Sequence, residues 1–169
     1  MSAGDSQLSY LLVDGHSIIH AWPDLRALHL TGRLRHLARE QLLNRLRQYQ
    51  DWSGSQVVVV FDGPSEQITD EREKEGLQIF YSGRGKSADD IIERLVSKYA
   101  SRLSMQVATA DQAERICIES FGAFWMSPDN LLKLVDEAES RMSKELGRLN
   151  TLSDQHFRQE NRSTFQHLS

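Results

Sequence analysis

The chain has 169 residues and a formal net charge of −4, with 20 basic side chains against 24 acidic ones. This length favours a single domain with its own core, and the acidic balance argues against a protein that coats nucleic acid without selectivity. The single cysteine, Cys117, excludes a disulfide framework and a multi-cysteine metal site. The lack of a long apolar run or a signal-peptide pattern predicts a cytoplasmic protein that does not span a membrane.

Short apolar runs alternate with helical patterns along the chain. Strands are predicted over residues 9–13, 56–61, 77–81 and 105–109, with a fifth over 123–126. The second run, QVVVVF, is continuously apolar after its first residue, which is typical of a central parallel strand covered on both faces. The alternation predicts a three-layer α/β domain in which helices flank a mainly parallel sheet of four to five strands.

Helices are predicted between these strands from the spacing of the apolar residues. They cover about 34–49, 88–103, 112–120 and 127–147. Ser87 and Asp90 have the spacing of a capping pair at the start of the second helix. The segment around Trp22 is predicted to be a loop anchored in the core. From residue 150 onward the polar sequence predicts a flexible tail, or an extra helix that orders on a partner.

Aspartates follow three of the predicted strands. Asp14 and Asp62 come directly after the first two, and Asp111 comes shortly after the fourth. Because ligands bind at the carboxyl ends of parallel strands, these side chains are expected to converge there, joined by Asp89 and Asp90 from the start of a helix. Clustered carboxylates favour a bound divalent cation, and oxygen ligands suit Mg²⁺ or Mn²⁺. Such a site supports hydrolysis of phosphate esters.

Each of these aspartates also has an ordinary structural explanation. Asp14-Gly15 and Asp62-Gly63 are common turn sequences. An acidic residue at the cap or first turn of a helix stabilises that helix without any ligand. One metal site would account for all the positions together, but the residues by themselves leave both explanations open.

Basic residues provide candidate contacts for a phosphate backbone. The segment 82–87 ends in GKS, but Phe80 stands where a P-loop requires glycine, so a nucleotide-binding loop is not supported. Arg84 and Lys86 in this segment are predicted to contact RNA phosphates. Residues 24–47 carry six arginines against two acids, and Arg26 and Arg33 among them are assigned the same role. A solvated surface is the competing explanation for these arginines.

Four motifs in order carry a resemblance to a known family: LLVDGHSIIHAWPDL, VVVVFDG, SADDIIERLV and VATADQAER. Together they resemble the YacP-like branch of the NYN-domain proteins, which are relatives of the PIN nucleases. The resemblance covers about residues 9–140 and implies a PIN-like nuclease domain over 9–148, after an N-terminal lead over 1–8 and before a polar tail over 149–169. It also implies metal-dependent endonucleolytic cleavage of single-stranded RNA, including messenger RNA at the ribosome, with a 5′-phosphate and a 3′-hydroxyl left at the cut.

The resemblance assigns catalytic and metal-holding roles to Asp14, Asp62, Asp89 and Asp111, and secondary roles to Asp90 and Ser17. The first family motif commonly reads DGYN, whereas this chain reads DGHS, so Ser17 replaces an asparagine. That departure motivates an alternative hypothesis, a non-catalytic RNA- or ribosome-binding module with the same fold. A Mg²⁺-dependent phosphatase acting on small phosphate esters is a third hypothesis.

Overall fold

The computed structural model describes residues 8–63, 69–72 and 76–166. Residues 1–7 of the predicted N-terminal lead and residues 167–169 of the predicted tail lie outside the described residues. The strands are β1 (Ser9–Asp14), β2 (Gln56–Phe61), β3 (Thr69–Arg72), β4 (Gln78–Tyr81), β5 (Ser104–Ala108) and β6 (Phe124–Met126). The helices are α1 (Gly15–Ala21), α2 (Pro23–Leu30), α3 (Arg35–Ser53), α4 (Ala88–Tyr99), α5 (Gln112–Ser120) and α6 (Pro128–Gln166).

The strands form one sheet in the order β3-β4-β2-β1-β5-β6. Strands β4, β2, β1, β5 and β6 are parallel, which confirms the predicted mainly parallel α/β sheet. The sheet also has an antiparallel edge strand, β3, which the sequence analysis did not predict. After β1, the chain adds β2 and β4 on one side of β1, and it later adds β5 and β6 on the other side. The strand order therefore reverses between β1 and β5. This reversal is the place where open α/β sheets bind ligands.

Helices cover both faces of the sheet, as a parallel sheet with continuously apolar strands requires. On one face, Leu11 and Val13 of β1 belong to a core that includes residues of α1, α2, α3 and α6. On the other face, Leu12 of β1 belongs to a second core with residues of α4 and α5. Alternate residues of β1 thus point to opposite layers, and its carboxyl end is held from both sides.

The segment after β1 corrects the sequence analysis, which placed a loop around Trp22. Two short helices, α1 and α2, lie there, and Trp22 is the single residue between them. The Trp22 side chain is 1% exposed, and its indole Nε1 donates a hydrogen bond to the Pro128 carbonyl at 2.9 Å. The predicted anchoring role is confirmed, and it fixes α1 and α2 against the first turn of α6.

Helix α6 is longer than predicted. Its start is confirmed, since the Ser127 hydroxyl accepts the Asn130 N–H at 3.1 Å, but the helix does not end near Gly147 and continues to Gln166. The predicted domain boundary at residue 148 falls inside this helix. Its buried residues lie in the first part, up to Ala138, and residues 143–162 are exposed. Within the described residues, no helix is long and apolar enough to cross a bilayer.

Candidate active site

The site begins at the junction of β1 and α1. Asp14 ends β1 and is the N-cap of α1, where its Oδ1 accepts the Ser17 N–H at 3.4 Å. The next residue, Gly15, is tightly enclosed, because a Cβ there would lie 2.2 Å from Cε1 of the Phe61 ring. Glycine leaves room for the Phe61 ring where the chain turns from strand to helix, and Asp14 is 7% exposed at this edge of the sheet.

Three carboxyl groups from three elements meet at this edge. Asp14 comes from β1, Asp89 from the first turn of α4 and Glu114 from the first turn of α5. One oxygen from each of the three lies within 4.8 Å of the others, a spacing suited to a shared cation. Glu114 was not among the predicted site residues. The sequence signal for it was the Asp111–Glu114 spacing, which is equally typical of a helix cap.

A buried threonine holds this cluster in place. The Thr109 hydroxyl lies 2.8 Å from Glu114 Oε2 and 3.5 Å from Asp14 Oδ2, and it accepts the Asp111 N–H at 3.1 Å. The other oxygen of Glu114, Oε1, is buried and has no hydrogen-bond partner among the described residues. Burying a charged carboxylate oxygen without a hydrogen-bond partner destabilises the folded protein. A bound cation or a proton would neutralise this charge and stabilise the cluster.

The pKa values of two of these acids are raised, as expected for buried carboxylates close to one another. The pKa of Asp14 is raised from 3.8 to about 7, chiefly by burial, with the carboxylates of Asp89 and Asp62 adding to the rise and the Ser17 N–H bond opposing it. The pKa of Glu114 is raised from 4.5 to about 9, again chiefly by burial, with Asp89 and Asp14 adding to the rise and the Thr109 hydrogen bond opposing it. Without a cation, the folded protein therefore holds protons in this cluster that the same groups release when the chain unfolds.

Asp62 and Asp111 lie beside the three-carboxyl cluster, and each accepts a hydrogen bond from the backbone at the start of a helix. Asp62 Oδ1 accepts the Ala88 N–H at 2.7 Å, at the start of α4. Asp111 Oδ1 accepts the N–H groups of Ala113 and Glu114 at 2.9 and 3.4 Å, as the N-cap of α5. Neither belongs to the three-carboxyl cluster, although both predicted residues lie beside it. Each of these two aspartates is thus oriented by backbone donors next to the cluster.

Asp90 and Ser17, the predicted secondary residues, have structural contacts. Asp90 is exposed and forms the predicted capping box, in which its Oδ2 accepts the Ser87 N–H at 2.9 Å. Ser17 borders the cavity, and its hydroxyl accepts the Ala110 N–H at 2.7 Å. This bond ties the start of α1 to the loop after β5. Ser17 therefore joins the start of α1, which follows Asp14, to the loop that precedes Glu114 and α5.

The acids surround an open cavity of about 410 Å³ at the reversal of strand order. Its lining includes the predicted Asp14, Asp62, Asp89 and Asp111, together with His16 and His20 of α1. None of the predicted RNA contacts lines it. Arg84 and Lys86 are exposed in the segment before α4, and Arg26 and Arg33 are exposed on α2 and the turn after it. The structure thus brings the four acids to one cavity and leaves the four basic residues outside it.

One arginine of the 24–47 segment has a packing role. Arg45 lies across the Trp22 ring, 5.0 Å from its centroid, and bonds Glu139 Oε1 at 2.8 Å and Asp136 Oδ1 at 2.5 Å. Arg39 stacks over the rings of Phe61 and Tyr81 and bonds the Tyr81 hydroxyl, while remaining exposed. The segment is therefore not uniformly a solvated surface, and Arg45 fastens α3 to α6.

We expect the thermal stability of the metal-free protein to fall as the pH rises from about 5 to about 9. Asp14 and Glu114 hold protons in the folded state at pH values where the unfolded chain has released them, because their folded pKa values are about 7 and about 9. This stabilisation is fully present at pH values below the pKa of these acids in the unfolded chain. It is lost as the pH rises through their pKa values in the folded protein. A bound cation replaces the protons, so the rise in melting temperature on adding Mn²⁺ should be larger at about pH 8 than at about pH 6.

Differential scanning fluorimetry at several pH values, with and without Mn²⁺, measures both effects. The Asp14→Asn protein should show a much smaller Mn²⁺ shift, whereas Asp129→Asn, which changes an exposed acid in the first turn of α6, should respond like wild type. A Mn²⁺ shift of equal size at both pH values would contradict a cation bound by this cluster.

Comparison with known proteins identifies the family. The YacP-like NYN domain matches residues 11–168, nearly the whole chain. The chain belongs to the YacP-like NYN domain family. This match confirms the resemblance seen in the sequence and extends it beyond residue 140 through the whole of α6.

Relatives from Bacillus subtilis agree with this assignment. The chain is 30% identical over 148 residues to the uncharacterized protein YacP of Bacillus subtilis (strain 168), covering 84% of each sequence. It superposes on a crystal structure of Rae1 (YacP) from Bacillus subtilis with a TM-score of 0.72 and 26% identity, covering 93% of this chain and 92% of the other. A tryptophan-to-leucine mutant of Rae1 gives a TM-score of 0.71 at 29% identity, covering 83% and 82%.

The NYN domain suggests a nuclease, and the acidic cluster is compatible with metal binding. The cluster lies where this fold class binds ligands, at the reversal of strand order.

Proposed function

We propose that the protein is a metal-dependent endoribonuclease that hydrolyses phosphodiester bonds of single-stranded RNA, with Mg²⁺ or Mn²⁺ as the ion. The observation that carries the proposal is the convergence of Asp14, Asp89 and Glu114 within 4.8 Å, with a buried Glu114 oxygen that finds no partner in the described part of the chain. Oxygen-only donors of this kind suit a hard divalent cation. We further propose that the protein acts in the cytoplasm, on messenger RNA at the ribosome.

The three clustered carboxyl groups would hold the ion, and Asp62 and Asp111 would lie beside it. When bound, the ion would polarise the phosphoryl oxygen and favour deprotonation of the attacking water. The chain itself supplies orientation: the Ser17 N–H fixes the Asp14 carboxyl, the Ala88 N–H fixes Asp62, and the Thr109 hydroxyl fixes Glu114. The protons held by Asp14 and Glu114 must leave before the cation is fully bound, which makes metal binding favour higher pH.

The position of the site is also suited to binding a flexible single strand of RNA. The cavity is open and lies beside the exposed segment of Arg84 and Lys86, which leads into Ser87 on the cavity wall. A single strand can bend so that one phosphate reaches the acids while its neighbours remain near basic side chains. These contacts would make binding depend on salt concentration.

The test is cleavage of a fluorescently labelled single-stranded RNA in Mn²⁺, compared with the same reaction in EDTA. We expect cleavage at internal positions in Mn²⁺ and none in EDTA, with products that carry a 5′-phosphate. If the protein binds RNA but does not cleave it under any metal condition, including on ribosomes, the proposal is wrong. That result would support the alternative hypothesis of a non-catalytic RNA- or ribosome-binding module. Hydrolysis of an aryl phosphate without RNA cleavage would instead favour the phosphatase.

A further inference from the structure

A guanidinium group lies over two aromatic rings at the carboxyl edge of the sheet. Phe61 and Tyr81 end the neighbouring parallel strands β2 and β4, where they are paired in register, and their rings stack with centroids 5.9 Å apart. The guanidinium carbon of Arg39 lies over both rings, 5.1 Å from the Phe61 centroid and 4.7 Å from the Tyr81 centroid. We call these three side chains the Arg39 stack.

The Arg39 guanidinium is held on one side and open to solvent on the other. Its Nη2 donates a hydrogen bond to the Tyr81 hydroxyl, which fixes its position over the rings. Arg39 is exposed whereas Phe61 is buried, so the side of the guanidinium that faces away from the rings is accessible. Among the described residues, no carboxylate forms an ion pair with Arg39. This arginine therefore presents an ordered, positively charged plane to solvent.

Short contacts connect the Arg39 stack to the cavity. His16, which lines the cavity, meets the Phe61 ring edge to face with centroids 5.6 Å apart. Asp62, which also lines it, directly follows Phe61 in the chain. Helix α3 leads into β2, so the first turns of α3, which contain Arg39, lie at the edge where β2 ends. The stack is therefore beside the acids but outside the cavity that they line.

The exposed plane of Arg39 is suited to a nucleobase. RNA bases stack on guanidinium planes as they do on aromatic rings, and this contact accepts every base because each has a π face. Phosphate oxygens instead approach the N–H donors in the plane of the group, and one of those donors is already used by the Tyr81 hydroxyl. A small phosphate ester without a base would gain nothing from this plane.

We propose that Arg39 stacks on a base of the RNA strand, in a nucleotide next to the one whose phosphate lies at the acidic cluster. The identity of the ligand as RNA rests on the proposed function. Base, guanidinium and aromatic rings would follow one another in a single stack that holds the strand while the acids act on the phosphodiester. The site selects a chain of nucleotides over a small phosphate ester, without selecting a base sequence. Arg39 binds the substrate and takes no part in bond cleavage.

The test compares RNA with a strand that has the same backbone charge but lacks bases. Fluorescence anisotropy in EDTA would measure the affinity for labelled decauridylate and for a strand of equal length made of abasic nucleotides. Wild type should bind decauridylate at least about fivefold more tightly, as expected for the stacking of one base. Arg39→Lys keeps the charge but removes the plane. It should therefore weaken binding to decauridylate by about fivefold and leave the affinity for the abasic strand unchanged.

Arg102→Lys is the matched control, because it makes the same change in a similar setting away from the cavity. Arg102 is also exposed, and its guanidinium carbon lies 5.9 Å from the centroid of the Tyr99 ring. The first residues of α4 line the cavity and Arg102 follows the end of that helix, which places it at the opposite edge of the sheet. This variant should bind both strands like wild type.

A purely structural role for Arg39 predicts a different result. If the guanidinium only covers Phe61, Arg39→Lys should lower the melting temperature and leave the ratio of the two affinities at the wild-type value. If Arg39 contacts a phosphate, binding to both strands should weaken equally. Either result overturns base stacking, and so does a wild-type protein that binds the two strands equally or binds neither. A loss seen with decauridylate but absent with decaadenylate would also overturn it.

The outcome is separable from that of the proposed function. If wild type prefers the strand with bases through Arg39 but never cleaves RNA in Mn²⁺, the stacking site stands and the proposed function fails. If wild type cleaves while Arg39→Lys keeps its KM and its affinity ratio, the stacking site is wrong and the proposed function stands. If both hold, the fall in kcat/KM of Arg39→Lys should come from a higher KM, since the base contact binds substrate and transition state alike.

Discussion

Glu114→Gln is expected to abolish RNA cleavage while making the metal-free protein more stable. Glutamine keeps the shape of the side chain and the bond from the Thr109 hydroxyl, but it cannot supply a charged oxygen to a cation. Loss of a cation ligand removes several kcal/mol of transition-state stabilisation, so the cleavage rate should fall at least about 100-fold. This would be a large functional loss from a change that leaves the fold intact.

The gain in stability has a separate cause. The pKa of Glu114 is about 9 in the folded protein and near 4.5 when unfolded, so at about pH 8 folding requires uptake of a proton by this group. Glutamine needs no proton, and its amide N–H groups are donors suited to the adjacent carboxylates. The melting temperature without metal should therefore rise by several degrees, and the rise should shrink toward about pH 5.

Glu119→Gln provides the matched control on the same helix. Glu119 is exposed and pairs with Arg115 at 3.3 Å, a surface ion pair of small energetic weight. The Glu119→Gln protein should cleave RNA at the wild-type rate and should be stabilised by Mn²⁺ to the same extent as wild type. A Glu114→Gln protein that cleaves at the wild-type rate would remove Glu114 from the site, and one that melts at a lower temperature would contradict the protonated state described here.

Gly15→Ala is expected to destabilise the protein and to disrupt the site through the backbone. The added Cβ would lie 2.2 Å from Cε1 of Phe61, and that ring is 1% exposed. Tyr81 stacks on the ring at 5.9 Å and Arg39 lies over it at 5.1 Å, so the ring has little room to move. Overpacking of this kind costs about 1–3 kcal/mol, and the displaced start of α1 would move Asp14.

Chemical denaturation and RNA cleavage measured on the same variant check this result. Gly147→Ala is the control, because a Cβ there meets nothing within 4 Å and the residue is inside α6. That variant should gain about 0.5–1 kcal/mol from improved helix propensity and keep wild-type activity. A Gly15→Ala protein as stable as wild type would mean that the Phe61 ring yields, and the proposed rigidity of the β1–α1 turn would be wrong.

Sequence patterns predicted the central framework because that framework is governed by burial. Strand β2 begins and ends where its valine run predicts, and α4 follows a clean apolar stripe with a capping box at its start. Helices α1 and α2 were missed because they have only 7 and 8 residues, too few for a helical repeat to stand out. The end of α6 was misplaced because residues 143–162 are exposed, so no buried apolar stripe marks this part of the helix.

The candidate site was predictable in position but not in composition. Aspartates after β1 and β2 and near α4 and α5 do converge on one cavity, as the parallel topology requires. Glu114 was overlooked because its spacing from Asp111 matches a capping box, and only the folded structure shows its side chain turned inward to Thr109. Which of the acids form the cluster also depends on the folded structure, since Asp62 and Asp111 accept backbone N–H groups beside the cluster, whereas Asp14 caps α1 and still belongs to it.

The length of α6 has a consequence for how the molecule moves through solvent. Its 39 residues, at about 1.5 Å per residue, form a rod of about 58 Å. A compact domain of comparable chain length has a radius of gyration near 15 Å. The rod adds friction without adding much mass, so a lone chain of 19.3 kDa would diffuse and elute as a larger particle. Its apparent size by gel filtration thus reports elongation as well as association.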